Sequence, residues 1–291
     1  MQYPIQPDQF VHVRRQFTRA HGTFGQHNAV FLNTSDRMLN RLAVLAINPS
    51  RILDLGCRNG YQFRALRDQF PGAQVIGVDP ACIGQSLRWW QRLPKNNTKI
   101  AVDPHHLPFQ DGCFDLVVSN LLLPWCQDPG AVFGEVARVL AENGAFMFTS
   151  AGPDTLQEYG ELWRNIDSAQ HVFGLADMHQ TGDELINAGF SAPVLDREVI
   201  TVDYPSIDAL QEEMRHIGAA NVACGRRIGL MTSKMRKLVR EKAPKQRFAI
   251  TLELVQGHGW KGALSQKRNN SADEVSVSLE SLRQSLRGTG R

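Results

Sequence analysis

The feature that most constrains the fold is an alternation of short apolar runs with amphipathic segments between residues 51 and 149. Five apolar runs have the length of buried strands: Ile52–Leu55, Val75–Val78, Lys99–Val102, Phe114–Ser119 and Ala145–Thr149. Between them, apolar residues recur at helical spacing in three segments: Phe63–Phe70, Leu87–Leu93 and Val132–Leu140. Strands that alternate with helices in this way predict an α/β fold, with a doubly wound, mostly parallel sheet covered on both faces.

The segments on either side of this alternation indicate how the chain is divided. Two helical patterns precede the first strand, so residues 1–48 are predicted to form an N-terminal helical region. A domain of residues 49–262 follows, and a helical insertion at 204–245 separates its last two predicted strands. The serine-rich, polar stretch 263–291 is predicted to be a flexible tail.

Composition excludes several classes of protein. Apolar residues make up 42% and charged residues 21% of the 291 residues, as in ordinary globular domains. No apolar run approaches the roughly 20 residues of a membrane helix, and the N-terminus lacks the pattern of a secretory signal. The five cysteines are scattered without a Cys-x-x-Cys pair, which argues against a disulfide framework and a zinc site. We therefore expect a cytoplasmic globular protein with no metal site and no membrane contact.

The positive charge of the chain is concentrated in the segment Arg226–Arg247. Nine basic residues and one acidic residue, Glu241, lie in this segment, whereas the rest of the chain is net negative. Such a segment is a candidate docking surface for an acidic partner. A solvated helix face or a loop is the alternative. Nucleic-acid binding is not expected, because aromatic residues on which bases could stack are not interleaved with the basic ones.

The first predicted strand-to-helix turn, residues 53–60, is a candidate binding site. It reads Leu-Asp-Leu-Gly-Cys-Arg-Asn-Gly and places Gly56 and Gly60 between a buried strand and a helix. Glycines in such a turn let the backbone approach a nucleotide-like ligand closely. The spacing is not the Gly-x-Gly-x-x-Gly of dinucleotide-binding proteins, which argues against a nicotinamide-dependent dehydrogenase. A tight turn that only packs a helix against a strand remains the alternative.

Two acidic residues follow the next two predicted strands. Asp79 ends the second strand, where a carboxylate in a doubly wound fold can accept both hydroxyls of a ribose. Asp103 follows the third strand, where it or its neighbouring backbone can meet the amine of an adenine, with Leu107 covering the ring. Each acid singly could be a strand-end cap. Because the carboxyl ends of parallel strands share one edge of the sheet, the three features together favour a nucleotide-like ligand.

Longer motifs resemble those of a known family. Similarity to class I S-adenosylmethionine-dependent methyltransferases, which have a Rossmann-like fold, is carried by Asp54–Gly60, Val78-Asp79 and Asp103–Val117. Similarity to the malonyl-acyl-carrier-protein O-methyltransferases of biotin synthesis is carried by Val13–Ala20, Trp125–Pro129, Gly152–Leu156, Ala188–Phe190, Tyr204-Pro205 and Gly218–Asn221. A sister branch with similar motifs contains the mitochondrial complex I assembly factor that hydroxylates an arginine.

The resemblance implies a cofactor, a reaction and site residues. The cofactor would be S-adenosyl-L-methionine, held by Asp54, Gly56, Cys57, Gly60, Asp79, Pro80, Asp103, Pro104, His105 and Asn120. Residues 1–48 would form a lid, and Trp125 and Tyr204 would shape the acceptor pocket. The family's acceptor is a carboxylate that is ionised at neutral pH, so no general base is needed and no catalytic residue is named. The acidic acyl carrier protein would be steered by the segment Arg226–Arg247.

Four positions depart from the family's pattern. Arg58 stands where the turn normally has a glycine, and a non-glycine residue forced to positive φ costs about 1–2 kcal/mol. Its guanidinium could pair with the carboxylate of the cofactor, or it could obstruct the pocket and repel the sulfonium. Phe24-Gly25 replaces the usual Tyr-Asp, and His105 stands where small or acidic residues are usual. These departures leave open the alternative that the chain is a branch member with altered chemistry, such as hydroxylation, or with a binding or assembly role.

Overall fold

The computed structural model describes residues 7–81, 98–172, 174–219, 221–223, 225–226, 229 and 231–262. The helices in these residues are α1 (Pro7–Ala20), α2 (Ala29–Leu42), α3 (Phe63–Gln69), α4 (Pro129–Val139), α5 (Gln157–Arg164), α6 (Met178–Asn187), α7 (Ile207–Ile217) and α8 (Ser233–Lys242). The strands are β1 (Arg51–Leu55), β2 (Gln74–Asp79), β3 (Thr98–Ala101), β4 (Phe114–Asn120), β5 (Leu140–Ala151), β6 (Phe190–Tyr204) and β7 (Phe248–Lys261). Short 3₁₀ helices lie at Phe24–Gln26 and Leu123–Trp125. The helix predicted at Leu87–Leu93, the tail predicted at 263–291 and Arg227 of the basic segment lie outside the described residues.

The seven strands form one sheet in the order β3-β2-β1-β4-β5-β7-β6. Strands β1 to β5 are parallel, and β7 pairs antiparallel with both β5 and β6. The strand order reverses around β1, and Ile52–Leu55 of this strand are buried. In open sheets of this kind, ligands bind beyond the carboxyl ends of the strands at the point of reversal. The predicted doubly wound, mostly parallel sheet is confirmed.

Helices cover both faces of the sheet, so the core forms two layers. On one face, Met38 of α2 and Leu66 of α3 pack against the strands. On the other face, Val136 of α4 belongs to a larger apolar cluster, which also contains Val13 and Phe17 of α1. Each such side chain contributes about 1.5–3 kcal/mol when it is fully buried. The first helix is therefore anchored in the core and is not a loose extension.

Some elements differ from their predicted bounds for identifiable reasons. Apolar residues at helical spacing predict a further helix over Asp154–Trp163, whereas helix α5 begins at Gln157. The Leu156 N–H donates to the Thr251 carbonyl of β7 at 2.8 Å and Leu156 has a φ of 60°, so the segment before α5 is held against the sheet. The apolar pattern predicts the last strand over Phe248–Val255. Strand β7 extends beyond this to Lys261, because it pairs along its length with both neighbours.

The N-terminal helices meet the insertion between β6 and β7, which contains α7 and α8. The Thr23 hydroxyl donates to the His216 carbonyl of α7 at 2.9 Å. The rings of His27 and His216 stack, with centroids 4.2 Å apart and an interplanar angle of 9°. These contacts join two segments that are nearly 200 residues apart in sequence.

No helix in the described parts of the chain combines the length and the apolar character that crossing a bilayer requires.

Candidate active site

The turn after β1 has the conformation that its two glycines predict. Gly56 and Gly60 have φ values of 88° and 84°, which residues with a side chain rarely adopt. A Cβ at Gly56 would lie 2.8 Å from the Leu122 Cβ, so the close approach also excludes a larger residue. The N–H groups of Gly56 and Cys57 both donate to the Val78 carbonyl, at 2.7 and 3.1 Å. The turn is therefore held rigidly against the end of β2, with Cys57 fully buried.

Asp79 lies beside this turn at the end of β2 and is 2% exposed. Its Oδ2 accepts a hydrogen bond from the Arg58 N–H at 3.1 Å, and its Oδ1 accepts one from the Ala81 N–H at 2.8 Å. Burial raises the pKa of Asp79, while the charge of Arg58 and the two hydrogen bonds oppose that rise. Pro80, also predicted for the site, is buried next to it. Asp79 thus has a fixed position at the strand end where a ribose is expected.

Asp54 is the second buried carboxyl group of the turn. It is fully buried, and its Oδ1 accepts a hydrogen bond from Gln62 Nε2 at 3.0 Å. Burial and the neighbouring charge of Asp79 raise the pKa of Asp54 to about 8, although the bond from Gln62 opposes the rise. The Gln62 side chain in turn accepts a hydrogen bond from Ser35 of α2 at 2.8 Å. The carboxyl group of Asp54 is therefore tied to the N-terminal helices.

Asp103 lies two residues beyond β3 and is bound to His105. Its Oδ1 accepts the His105 N–H at 3.0 Å and lies 2.6 Å from His105 Nδ1. Burial would raise the pKa of Asp103, but the hydrogen bonds from His105 outweigh it and hold the pKa below its usual value. The Asp128 N–H donates to His105 Nε2 at 3.2 Å. Pro104 and Leu107 of this loop are buried, so the loop is rigid at the edge where an adenine is expected.

Asn120, at the end of β4, joins the sheet to α2. Its Nδ2 donates to the Phe31 carbonyl at 2.9 Å and to the Tyr61 hydroxyl at 2.6 Å. Its Oδ1 accepts the Thr149 hydroxyl at 2.5 Å. Burial raises the pKa of Tyr61 well above its usual value. Tyr61 belongs to no motif recognised in the sequence, and its position directly after Gly60 was the only available signal.

Arg58 crosses the space between the turn and the N-terminal helices. It has a φ of 51° and is 6% exposed. Its guanidinium carbon lies 3.7 Å from the centre of the Phe17 ring and 4.6 Å from that of Phe24. The guanidinium also donates to the Ile217 carbonyl of α7. Two departures from the family's pattern, Arg58 and Phe24, are therefore in direct contact with each other.

Several buried polar atoms around the turn allow a test of whether a polar ligand fits there. Within the described residues, Asp54 Oδ2, Asn59 Oδ1 and His21 Nε2 are buried without a hydrogen-bond partner. An unpaired buried polar group costs about 1–3 kcal/mol. The N-terminal backbone at Gly25 lies close to the Asn59 side chain, since a Cβ at Gly25 would lie 3.1 Å from Asn59 Nδ2. A cofactor with ribose and amino-acid groups can supply partners, so the residues fit S-adenosylmethionine.

Trp125 and Tyr204 line one cavity of about 140 Å³, which we call the Trp125–Tyr204 cavity. The Tyr204 hydroxyl donates to Glu213 Oε1 at 2.9 Å. The Trp125 ring meets the Phe17 ring edge to face, with centroids 5.7 Å apart. Ile217, whose carbonyl accepts the hydrogen bond from Arg58, also lines the cavity. Sequence analysis missed Glu213 and Ile217, because α7 carries no motif that points to a site.

In the part of the chain that the structure describes, no three His, Cys, Asp or Glu side chains are grouped so that they could hold a metal ion. The thiols of Cys57, Cys113 and Cys126 are buried.

Relatives of the chain cover nearly all of it. The family model described as a methyltransferase domain matches residues 53–148. A malonyl-[acyl-carrier protein] O-methyltransferase from Gallionella capsiferriformans is 36% identical over 272 residues, which are 89% of this chain and 93% of that protein. A protein of the same name from Halorhodospira halophila is 33% identical, over 94% of this chain and 96% of its own.

Solved structures share the fold. A candidate methyltransferase from Bacillus halodurans superposes with a TM-score of 0.52 at 12% identity, covering 79% of this chain and 99% of its own. The YcgJ protein of Bacillus subtilis gives a TM-score of 0.50 at 16% identity, over 78% and 98% of the two chains. At these identities the likeness concerns the fold alone. The relatives at 33% and 36% identity decide the family: this chain is an S-adenosylmethionine-dependent methyltransferase and belongs to the malonyl-[acyl-carrier protein] O-methyltransferase family.

Proposed function

We propose that this chain methylates the free carboxylate of a malonyl thioester on acyl carrier protein, as a cytoplasmic step of biotin synthesis. The names of its relatives support this substrate. The observation that carries the proposal is the position of a glycine turn and strand-end carboxylates beside an apolar cavity, at one edge of the sheet. The relatives give no support to the alternatives of hydroxylation or of a role in assembly alone.

The turn and the strand ends would hold S-adenosylmethionine, which when bound supplies an electrophilic methyl group on its sulfonium. We assign the ribose hydroxyls to Asp79 and the adenine to the loop of Asp103 and His105. Asn59 and His21 have unpaired polar atoms that suit the amino-acid half of the cofactor. Arg58 lies across this space, so we expect its side chain to move when the cofactor binds.

The proposed reaction moves no proton, because a malonyl carboxylate is already ionised at neutral pH. The contribution of the chain is then to align the reacting groups and to exclude water from them. Trp125 and Tyr204 would position the acceptor. The contact of Phe17 with Trp125 would close the site between the N-terminal helices and the cavity.

Helix α8 carries the basic surface to which we assign the carrier protein. A surface groove is lined by Arg236, Lys237, Arg240 and Lys245, with Ser233 and Glu241. Arg240 is paired with Asp208 of α7 at 2.8 Å, and Lys237 with Glu241 at 3.7 Å. The remaining cations give the groove an excess of positive charge. An acidic protein would be attracted to this surface, and exposed charges mainly affect the rate of association.

Two measurements on the full-length protein test the proposal. Calorimetry should show binding of S-adenosylhomocysteine, and incubation with labelled S-adenosylmethionine and malonyl-acyl carrier protein should give a methyl ester on the malonyl group. Acetyl-acyl carrier protein, which lacks the free carboxylate, is the matched control and should remain unlabelled. Binding without transfer to the malonyl form, or equal transfer to both forms, would contradict the proposed acceptor.

A further inference from the structure

His171 is one of the residues that line the Trp125–Tyr204 cavity. It lies in the segment between α5 and α6, and its side chain is largely buried. The His171 ring stacks on the ring of Trp163 in α5, with centroids 3.7 Å apart and an interplanar angle of 7°. Trp163 is itself buried, so one face of the imidazole rests on the core and the plane of the ring is fixed.

Asp167 holds one nitrogen of this ring, since its Oδ1 lies 2.8 Å from His171 Nε2. Neighbouring backbone bonds anchor the segment. The Gln170 N–H donates to the Gly225 carbonyl at 2.9 Å, and the Gln170 carbonyl accepts the Asn221 amide at 2.6 Å. Because a carboxylate only accepts hydrogen bonds, Nε2 is the nitrogen that donates to Asp167.

The other nitrogen of the ring, Nδ1, has no hydrogen-bond partner in the described part of the chain. Polar groups inside proteins are usually paired. A histidine that only supports the fold would be accounted for by the stack and the bond to Asp167. Because His171 lines the cavity, its second nitrogen is available to a group that enters from there.

The charge of the walls indicates what that group is. Among the described residues that line the cavity, His171 is the one whose side chain can carry a positive charge. The acid of the same walls, Glu213, already accepts the Tyr204 hydroxyl at 2.9 Å. The guanidinium of Arg58 contacts the walls only through the carbonyl of Ile217. A carboxylate that leaves water for an apolar cavity needs a paired cation, and the malonyl acceptor brings a carboxylate.

We propose that Nδ1 of His171 binds the carboxylate of the malonyl acceptor, with the ring as an imidazolium between this carboxylate and that of Asp167. An imidazolium donates from both nitrogens, and the two anions stabilise its charge. One oxygen of the acceptor carboxylate is then held, and the other is left for the methyl transfer. The inference rests on the proposed function. It adds the residue that distinguishes a malonyl thioester from its neutral acetyl counterpart.

The first test compares malonyl-pantetheine with acetyl-pantetheine by calorimetric titration into the full-length protein. The wild type should bind the malonyl form about ten-fold more tightly or better, as expected for a hydrogen bond between charged groups. His171→Gln, which cannot carry the charge, should lose most of this preference and bind the acetyl form as before. His179→Gln, at an exposed position on α6 outside the cavity, is the matched control and should keep the preference.

The outcomes separate this inference from the proposed function. Equal affinity of the wild type for the two thioesters would contradict the proposed acceptor, and the inference with it. A malonyl preference that survives in His171→Gln would refute only the assignment to His171. An equal loss for both thioesters would place an amide of the pantetheine arm on Nδ1 and would also refute it. If thermal unfolding shows that His171→Gln is not folded, Asp167→Asn tests the same pairing and should weaken binding of the malonyl form alone.

Proton uptake is a second measurement, which a purely structural role would not affect. An ordinary imidazole is largely neutral above about pH 7, so binding of the malonyl carboxylate should take up a proton. The uptake is read from binding heats in buffers of different ionisation enthalpy, between about pH 7 and pH 9. The other titratable groups on the walls are Glu213 of α7 and Tyr204 of β6, and Glu213→Gln should leave the uptake in place. Uptake that is absent from the wild type throughout this range, or that persists in His171→Gln, would overturn the inference.

Discussion

Replacing Arg58 by glycine should strengthen cofactor binding by roughly ten-fold. In the structure the guanidinium of Arg58 lies between Phe17 and Phe24 and donates to the Ile217 carbonyl. A cofactor that occupies the space between the turn and the N-terminal helices has to displace this side chain. In Arg58→Gly there is nothing to displace, and the turn regains the residue type that its positive φ favours.

The magnitude follows from the contacts of Arg58. Each cation–π contact contributes about 0.5–2 kcal/mol, and a hydrogen bond from a charged group about 1.5–3 kcal/mol. Breaking all three therefore costs about 2.5–7 kcal/mol, of which the freed guanidinium recovers part by hydration. If half of the lower value remains, about 1.3 kcal/mol, the affinity changes by roughly ten-fold. The substitution also affects the stability of the cofactor-free protein. Arg58→Gly loses the same three contacts, but relief of about 1–2 kcal/mol of backbone strain offsets part of that loss.

Calorimetric titration of S-adenosylhomocysteine into wild type and Arg58→Gly measures the affinity. Thermal unfolding without ligand should show a melting temperature that is a few degrees lower in the variant, at about 2–4 °C per kcal/mol for a chain of this size. Arg64→Ala is the matched control, because Arg64 is exposed and paired only with Asp68 on the surface of α3, and it should leave the affinity unchanged. Weaker binding in Arg58→Gly would show that the guanidinium pairs with the cofactor, and the displacement argument would then be wrong.

Three further predictions concern the acids of the turn and the basic surface. Asp79→Asn should weaken S-adenosylhomocysteine binding by at least several-fold, because charge-assisted hydrogen bonds to the ligand are lost; unchanged affinity by calorimetry would remove Asp79 from the site. Asp54 has a pKa of about 8 in the fold against about 4 in an unfolded chain. The native state thus binds the proton more tightly, and the free energy of unfolding should fall as the pH rises between these values. Urea unfolding near pH 5 and near pH 8 should show this fall in the wild type but not in Asp54→Asn. The same fall in the variant would contradict the assignment. Replacing both Arg236 and Lys237 by glutamate should slow association with acyl carrier protein. The effect should depend on salt, since exposed charges are screened beyond about 10 Å at 0.1 M salt. An equal effect on a carrier-free malonyl thioester would argue against docking.

The central fold could be predicted because its signals are local. Runs such as Val75–Val78 are apolar because both faces of a parallel strand are buried, and the strand found at Gln74–Asp79 matches that run closely. The glycine turn was predictable for the same reason, since glycines between a strand and a helix permit the positive φ that Gly56 takes. The bounds of α5 were not, because Leu156 is held by a hydrogen bond to β7, about 95 residues further along the chain.

The sequence predicted which site residues lie at the strand ends, but it did not predict the contacts of their side chains. Asp79 and Asp103 lie where the order of strands puts them, but their partners depend on loop geometry. Arg58 could be recognised as a departure, yet the sequence left two directions open for its guanidinium. Only the packing of α1 shows that it lies against Phe17. Asn120 was predicted to contact the cofactor, and its bonds in the structure join β4 to α2; its contact with a ligand stays a prediction.

Helix α1 is part of the core and also covers the cofactor space, and this affects the rate of ligand binding. Its residues Val13 and Phe17 are 1% and 5% exposed within the main apolar core, and the same helix covers the space that a cofactor must reach. Opening that space therefore requires core contacts to break, as in a local unfolding event, rather than the swing of a loop through solvent. Ligand association should then be limited by the frequency of this opening, which rises steeply with temperature and with low concentrations of denaturant. Amide hydrogen exchange in α1 reports that frequency directly.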